Sequence, residues 1–542
     1  MKGRERLRWA FAWAGAGALA LINHACAETT CEETRTCTGA STGGAGGAGG
    51  TGGAGASDAG GTGGIPPVGS FAISVESTTL TLIDGESLEV TVTITRNAMT
   101  DPITLDFLGL PTGATADPVV APAGFKSTKV IIQADSDMVH GPAKVTLRAQ
   151  GGGQEKTLDL DLLARGPAGS ADNSFGAQGV ITENPYGAWS RGRAAALAPD
   201  GKIYVVGDAG STAGDVKAYF VARYSDAGVL DPSFGTSGVV TRHTTVNTGE
   251  HVARGVFVDA QQRVVVGGYF TGNNVFFARF DTAGALDPSF ATTGEFVGPG
   301  GSVSALAQSG TKLLAAGKND QTPAHALVAR MDGSGAPDTA FGTQALVIID
   351  TGTSASEAVA VAVDADNKIV LAGTTTKPGT PVFVARLTPG GAMDSFGTAG
   401  VAYLSPLSGA ETTGLVVRPD KRVVVGGGNA AGEDFVVQLD AQGAVDTSFG
   451  ASGKAMQGAG RILALDGAGR IVTASKAGTA LRLGRLLQDG SADTSFGSLG
   501  YSWLTYPADP HAVILLPDGR ALVVGVSKAL SEDKVFVGRF WM

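Results

Sequence analysis

One short phrase, in which an acidic residue precedes a phenylalanine, recurs seven times between residues 172 and 497 and constrains the fold more than any other feature. The copies read DNSFG, DPSFG, DPSFA, DTAFG, DSFG, DTSFG and DTSFG. Their phenylalanines are Phe175, Phe234, Phe290, Phe341, Phe396, Phe449 and Phe496. These residues lie 47 to 59 positions apart, a period that is typical of stacked supersecondary units with a shared core.

Each phrase belongs to a longer repeat whose pieces return in the same order. In one repeat the pieces are AAALAPDG from residue 194, KIYVVG from 202, YFVARYSDAG from 219 and VLDPSFGTSGVVT from 229. Each piece predicts one short strand, and Pro-Asp-Gly predicts a tight turn between strands. Four antiparallel strands per repeat are typical of a propeller blade. The sequence therefore predicts an all-β chain with a seven-bladed β-propeller over residues 170–542.

The two ends of the repeat region predict how the ring closes. The last repeat stops after three strands, at FVGRFWM, whereas the first phrase lies in a single strand, residues 171–184, ahead of the first complete blade. We expect this N-terminal strand to pair with the C-terminal blade as its outer strand, because such pairing removes two free sheet edges. The alternative is an open solenoid, which leaves both edges bare.

Residues 170–542 resemble the delta-60 repeat family, which are bacterial β-propellers of unassigned function with repeats of the form LDxSFGxxG and ALxPDGKIVVxG. This resemblance implies a propeller fold and implies no activity. Three copies depart from the pattern: Ala291 replaces the glycine, Ala340 replaces the serine, and the copy at 394–397 is one residue shorter. These departures concern the regularity of the blades rather than the fold.

We interpret the repeated phrase as a structural joint rather than as seven ligand sites. A large apolar ring in every blade is what packing between twisted sheets requires, and glycine permits a tight bend. An arginine recurs at one strand position of the same repeats, with Gln438 in the remaining one: Arg223, Arg279, Arg330, Arg386, Arg485 and Arg539. We expect each arginine to bond the acidic residue of a neighbouring phrase, for example Arg223 with Asp231, as a partly buried ion pair.

The first 27 residues have the layout of a bacterial export signal. Four basic residues precede an apolar run at 9–22 that is too short for a permanent membrane span. Two cleavages remain open: signal peptidase cleavage after Ala27, and lipoprotein processing that would leave a lipid on Cys26. The second cleavage provides the one membrane contact that we expect. The sequence predicts an exported protein, either secreted or anchored at the cell envelope.

Two further segments precede the propeller. Residues 28–70 are rich in glycine and predict a disordered tether, in which Cys31 and Cys37 are either a disulfide pair or two free thiols. From 71 to 165 short strands alternate apolar and polar residues, as in LEVTVTITR at 88–96, and predict an immunoglobulin-like β-sandwich. The stretch GLPTGATADP and a later APAG resemble bacterial Ig-like modules, which implies a spacer.

The sequence contains no motif for a catalytic, metal or cofactor site. The formal charge of -10 lacks the concentrated basic face that nucleic-acid binding needs. Two loop segments near the closing blade are rich in aromatic residues, which suit sugar rings or a protein partner. The candidate ligand-binding residues are Tyr186, Trp189, Arg191, Trp503, Tyr506 and His511. An alternative is that some of these rings pack between blades.

These patterns predict an exported, non-catalytic protein that binds or scaffolds a protein or glycan at the cell envelope or outside the cell. A propeller hydrolase or lyase is the first alternative, and a histidine clustered with carboxylates in the central channel would favour it. A purely structural surface protein is the second alternative.

Overall fold

The structure, a computed structural model, describes residues 69–542 except 211–217, 243–250, 271–273, 353, 407, 456–459 and 529–531. The predicted export signal, the Cys26 lipid site, the Cys31 and Cys37 pair and nearly all of the tether lie outside the described residues. The described residues form strands and turns and contain no helix. In this part of the chain, no helical segment is long and apolar enough to cross a membrane.

Nine strands at the N-terminal end of the described chain form two sheets over one core. In β3 the buried residues Val90, Val92 and Ile94 alternate with exposed ones, because successive side chains of a strand point to opposite faces. The sheet orders are β1-β3-β7-β5 and β2-β9-β8-β4-β6, and β2 pairs with β9 in parallel. The strands are β1 Ser70–Val75, β2 Thr79–Ile83, β3 Ser87–Asn97, β4 Ile103–Leu108, β5 Ala114–Thr115, β6 Val119–Ala121, β7 Ser127–Ala134, β8 Gly141–Gly151 and β9 Gln154–Arg165.

The repeat region contributes the remaining strands. They are β10 Val180–Glu183, β11 Trp189–Leu197, β12 Ile203–Gly210, β13 Ala218–Tyr224, β14 Val239–Arg242, β15 His251–Val258, β16 Val264–Phe270, β17 Asn274–Phe280, β18 Glu295–Ser309, β19 Lys312–Asn319, β20 Ala326–Met331, β21 Leu346–Ile348, β22 Ser356–Val363, β23 Ile369–Thr375, β24 Val382–Leu387, β25 Val401–Leu404, β26 Glu411–Val417, β27 Val423–Gly428, β28 Asp434–Leu439, β29 Lys454–Ala455, β30 Ile462–Leu465, β31 Ile471–Ala477, β32 Ala480–Leu486, β33 Tyr501–Leu504, β34 Ala508–Leu515, β35 Arg520–Ser527 and β36 Lys534–Trp541.

Within the described residues, these strands form sheets that follow one another along the chain. Sheet 1 is β11 to β14, sheet 4 is β22 to β25, sheet 5 is β26 to β29, and sheet 6 is β30 to β33. Strands β15 to β21 form one continuous sheet, which we divide at β18 into sheets 2 and 3. The first part of β18 pairs with β17 and the part from Gly301 onward pairs with β19. Sheet 7 is β34 to β36 together with β10.

Sheet 7 joins the two ends of the repeat region. Strand β10 pairs antiparallel with β36, with Val180 opposite Gly538 and Glu183 opposite Val535. The pairing continues outside the strand, where the Asp172 amide donates to the Arg539 carbonyl at 2.8 Å. The outer strand of the last sheet is therefore supplied from the start of the repeat region.

The seven sheets share buried apolar cores in cyclic order. Each core holds residues of two consecutive sheets, and one of them joins sheet 7 to sheet 1 through residues such as Ile203 and Leu522. Each core also contains one phenylalanine of the repeated phrase, beginning with Phe175 between sheets 7 and 1. Burial of this ring together with the surrounding aliphatic and aromatic side chains stabilises the contact between neighbouring sheets.

Candidate functional site

The repeated phrase builds the contacts between sheets. All seven phenylalanines are at most 2% exposed. In sheet 4, Arg386 lies with its guanidinium carbon 4.6 Å from the Phe396 ring centroid. Its Nε donates to Asp394 at 2.6 Å and its Nη1 donates to the Ala441 carbonyl of sheet 5 at 2.7 Å. One arginine thus fixes the phrase of its own sheet and the turn of the next sheet.

The same ion pair recurs around the repeat region, and all six arginines of the set are buried. The Nε to carboxylate distances are 3.0 Å for Arg223 and Asp231, 2.8 Å for Arg279 and Asp287, 2.7 Å for Arg330 and Asp338, 2.7 Å for Arg485 and Asp493, and 2.7 Å for Arg539 and Asp172. Gln438 takes the arginine position in sheet 5 and donates to Asp446 at 2.8 Å. These residues form joints between sheets and are not open to a ligand.

The carboxylates of these joints favour the ionised form. Burial alone would raise the pKa of Asp394, but hydrogen bonds from Lys368 and Arg386 lower it below its ordinary value. For Asp287 burial is likewise outweighed, here by hydrogen bonds from Ser289 and by the Arg279 charge, so its pKa is also lowered. The joints therefore hold charged pairs at neutral pH.

The aromatic candidates do not form the single exposed patch that the sequence suggested. Trp189 is 1% exposed and packs against Val252, with the Arg191 guanidinium carbon 4.7 Å from its ring centroid. Its ring fills space between sheets 1 and 2, so the expectation that Trp189 offers a stacking face is corrected. Trp503 is 58% exposed on the outer strand of sheet 6, next to Arg482.

The other three candidates have different surroundings. Tyr186 is 41% exposed and precedes β11. The Tyr506 hydroxyl donates to the Gln178 carbonyl at 3.2 Å, and its ring packs near Phe536. His511 lies on β34 and lines a cavity that the inner strands of all seven sheets enclose.

This cavity has a volume of about 1290 Å³ and is built by a repeated backbone irregularity. In six inner strands a bulge leaves one residue unpaired, and such bulges redirect a side chain. The unpaired residues are Arg193, Arg254, Ser304, Val359, Thr413 and His511. In sheet 6, Arg461 comes directly before β30 and donates its amide to Ala474 at 3.1 Å. All seven residues line the cavity.

Sequence reasoning had singled out only His511 of this set. The sequence did not reveal the three arginines of the set, Arg193, Arg254 and Arg461. The alternation of apolar and polar residues in a single strand does not show where a bulge occurs. A signal becomes visible only when the repeats are aligned on the following strand, since each of these residues then takes the same place ahead of motifs such as KIYVVG.

The three arginines of the cavity differ in their partners. Arg193 bonds Asp208, and Arg461 bonds Asp434 at 2.8 Å, and both carboxylates are buried behind the cavity wall. Arg254 has no carboxylate within salt-bridge distance among the described residues, and its nearest aromatic contact is the Tyr269 ring at 6.0 Å. Arg254 therefore presents to the cavity a guanidinium that has no anionic partner in the described part of the chain.

His511 is held in its neutral form at the cavity wall. Its Nδ1 lies 2.7 Å from the Gly192 carbonyl oxygen, which only accepts hydrogen bonds, so Nδ1 carries the proton and Nε2 is the acceptor. Burial, followed by the charge of Arg193, lowers the pKa of His511. Asp509, Glu357 and Glu411 also line the cavity. The described residues include no group of three or more metal-binding side chains arranged around one point.

Comparison with known proteins identifies the repeats. Residues 198–234, 263–290 and 365–396 match a family described as "Domain of unknown function (DUF5122) beta-propeller". The first segment runs from the turn before β12 to Phe234, and all three segments end at or close to a phrase phenylalanine. The match confirms the resemblance to a β-propeller family of unassigned function. The resemblance of the N-terminal sandwich to Ig-like modules stays a prediction.

Similar structures share only low overall likeness with this chain, and no curated protein matches it. A Bacteroides caccae protein of unknown function is 15% identical over 42% of this chain and 72% of its own, with a TM-score of 0.26. A quinonprotein alcohol dehydrogenase-like protein from Bacteroides thetaiotaomicron is 11% identical over 69% of this chain and 95% of its own, with a TM-score of 0.24. At these scores neither likeness supports a function.

Proposed function

We propose that this all-β chain, whose repeats match a β-propeller family of unknown function, is an exported, non-catalytic protein that binds a glycan in the central cavity of a closed seven-bladed propeller. In this proposal each of sheets 1 to 7 is a blade of a propeller spanning 170–542. Residues 1–27 direct export, 28–70 form a tether, and 71–165 form an Ig-like spacer.

Two observations support the closed ring. Strand β10 completes the sheet that contains the C-terminal strand β36, and the buried cores follow a cyclic order that includes a core between sheets 7 and 1. An open solenoid would leave the outer edges of its first and last sheets unpaired, which favours aggregation.

The observation that carries the binding function is the contrast between joint and bulge positions. The joints repeat one residue type, whereas the bulge positions carry arginine, serine, valine, threonine and histidine. Equivalent positions with different residues create an asymmetric polar surface, which is what recognition of one ligand requires. Binding pockets typically measure about 300–1,000 Å³, so a cavity of about 1290 Å³ has room for several sugar rings.

The test is calorimetric titration of the full chain with oligosaccharides prepared from bacterial envelope polysaccharides. Val359→Trp fills part of the cavity without touching a joint, and Val120→Trp adds the same ring to an exposed position in the sandwich. We expect saturable binding that Val359→Trp abolishes and Val120→Trp preserves. Equal binding by both variants would exclude the cavity as the site. Absence of binding to any saccharide would leave protein scaffolding or a purely structural surface role.

A specific observation also favours the hydrolase or lyase as second candidate. The neutral His511, with Nε2 as acceptor, shares the cavity with Asp509, and a histidine and carboxylate in one site suit general acid–base chemistry. Incubation of the full chain with the same polysaccharides, followed by measurement of new reducing ends, tests it. Turnover that His511→Ala removes would establish an enzyme, whereas unchanged polysaccharide supports a binding protein.

A further inference from the structure

We infer that the cavity wall formed by sheets 7, 1 and 2 is a carboxylate subsite, in which Arg254, assisted by Arg193, receives the acidic group of a uronic acid saccharide while His511 accepts a hydrogen bond from one of its hydroxyl groups. This inference rests on the proposed glycan binding and specifies the class of glycan.

The basic residues of the bulge positions occupy one side of the cavity. In the cyclic order of sheets, Arg461 of sheet 6 is followed by His511 of sheet 7, Arg193 of sheet 1 and Arg254 of sheet 2. The next three sheets contribute Ser304, Val359 and Thr413 at the same position. The hydrogen bond from His511 to the Gly192 carbonyl places the imidazole beside Arg193.

The acidic residues are concentrated on the other side. Glu357 belongs to sheet 4 and Glu411 to sheet 5, and Glu357 is neutralised by Lys318 at 2.7 Å. Asp509 is the exception, since it lies on β34 two residues before His511. A ligand with one anionic end and several hydroxyl groups fits this polarity better than a uniformly charged ligand does.

Among the three arginines of the cavity, Arg254 has the fewest hydrogen-bond and ion-pair partners in the described part of the chain. The guanidinium of Arg193 is occupied on one edge by Asp208, through Nε and Nη2. Arg461 uses its Nε on Asp434 and its Nη2 on the Asn429 carbonyl at 2.8 Å. Arg254 is half-buried and makes neither kind of bond among the described residues, so within this part of the chain its fork of donors has no partner. A carboxylate matches that fork with two parallel hydrogen bonds.

His511 distinguishes a sugar acid from a simple anion. Its Nε2 is an acceptor and repels the oxygens of phosphate or sulfate, but it accepts a hydrogen bond from a sugar hydroxyl. Asp509 is a second acceptor on the same strand. A uronic acid supplies both the carboxylate that Arg254 lacks and the hydroxyl donors that His511 and Asp509 can use.

The experiment compares trigalacturonate with the neutral α-1,4-linked galactotriose by calorimetry at pH 7, using the full chain. We expect trigalacturonate to bind more tightly, and Arg254→Gln to weaken its binding by about tenfold or more while leaving galactotriose binding unchanged. Arg254→Lys retains the charge without the fork and should fall between the two. Arg422→Gln, which removes one charge from a side chain that is 46% exposed and outside the cavity, should change neither affinity.

Three results would overturn the inference. If galactotriose binds but trigalacturonate binds no tighter, the carboxylate subsite is wrong and glycan binding stands. If inorganic phosphate displaces trigalacturonate at equal concentration, the wall is a general anion site. If the wild-type chain binds neither saccharide, the carboxylate subsite is wrong for galacturonates, and the titration with envelope oligosaccharides decides separately whether glycan binding stands. The thermal unfolding midpoint of Arg254→Gln, compared with that of Arg422→Gln, separates lost binding from lost folding.

Discussion

The joints between the sheets and the wall of the central cavity show opposite uses of the same repeat. At the joints, six sheets carry an arginine over a phenylalanine, and the remaining one has Gln438 in place of the arginine. At the bulges of the inner strands, equivalent positions hold residues as different as Arg254 and Val359. The repeat keeps one residue type where sheets pack and varies it at the cavity wall, where residues such as Thr413 and His511 each make one hydrogen bond to a neighbouring sheet. In the proposed function, stability therefore depends mainly on the side chains of the joints and recognition on those of the cavity wall.

The largest effect is expected from removing a joint phenylalanine. Phe341→Ala opens a cavity in the buried core between sheets 3 and 4 and should lower the free energy of unfolding by about 3–5 kcal/mol. Urea unfolding followed by fluorescence measures the change. Phe125→Ala removes the same ring from a position that is 56% exposed, and it should lower the free energy of unfolding by about 0.5 kcal/mol or less. Similar losses for both variants would contradict the role of the joint.

A smaller effect is expected at the arginine of the joint, and its size should depend on charge. Arg386→Ala leaves Lys368 as the cationic partner of Asp394 but removes one ion pair and the hydrogen bond to the Ala441 carbonyl, and it should cost about 3 kcal/mol in urea unfolding. Gln438→Ala removes the hydrogen bond that an uncharged amide donates to Asp446 at the equivalent joint and should cost about 1.5 kcal/mol. An equal loss of unfolding free energy in both variants would mean that the charge of Arg386 contributes no stability beyond the packing of its side chain.

The joints also predict how stability depends on pH. The pKa of Asp394 in the folded chain is below its ordinary value of about 4, so the unfolded chain binds the proton more readily. The resulting stabilisation is present above that ordinary pKa and is lost as the pH falls through the folded pKa. Acid titration of the unfolding midpoint should show this loss, and Asp394→Asn should make it shallower. An unchanged acid profile in Asp394→Asn would contradict the assignment.

The smallest effect on stability is expected in the cavity wall. Thr413→Ala and Ser304→Ala leave the joints unchanged and each remove one hydrogen bond, to the Arg461 carbonyl and to Glu357, so each should lower the free energy of unfolding by about 0.5–1 kcal/mol. Both variants should change the free energy of saccharide binding by more than they change the free energy of unfolding measured in urea. A loss of stability as large as that of Arg386→Ala would show that the bulge residues also support the fold, and the separation between the two regions would fail.

The residues that recur could be read from the sequence, and the residues that differ could not. Phe396 and Arg386 are recognisable because their neighbours in other repeats have the same spacing, and the all-β propeller type follows from them. Trp189 was misjudged since its exposure depends on Val252 of the next sheet, a contact between distant segments. Arg254 was missed because its position in the cavity depends on a local break in strand pairing.

The pairing of β10 with β36 imposes an order in time. Asp172 and Arg539 lie 367 residues apart in the chain, yet each needs the other to complete a buried ion pair. During synthesis, strand β10 appears before any other strand of the repeat region and has to wait for β36, while the sandwich and the intermediate sheets already have all of their own strands. Completion of sheet 7 therefore has to follow synthesis of β36, after the strands of sheets 1 to 6 have been made.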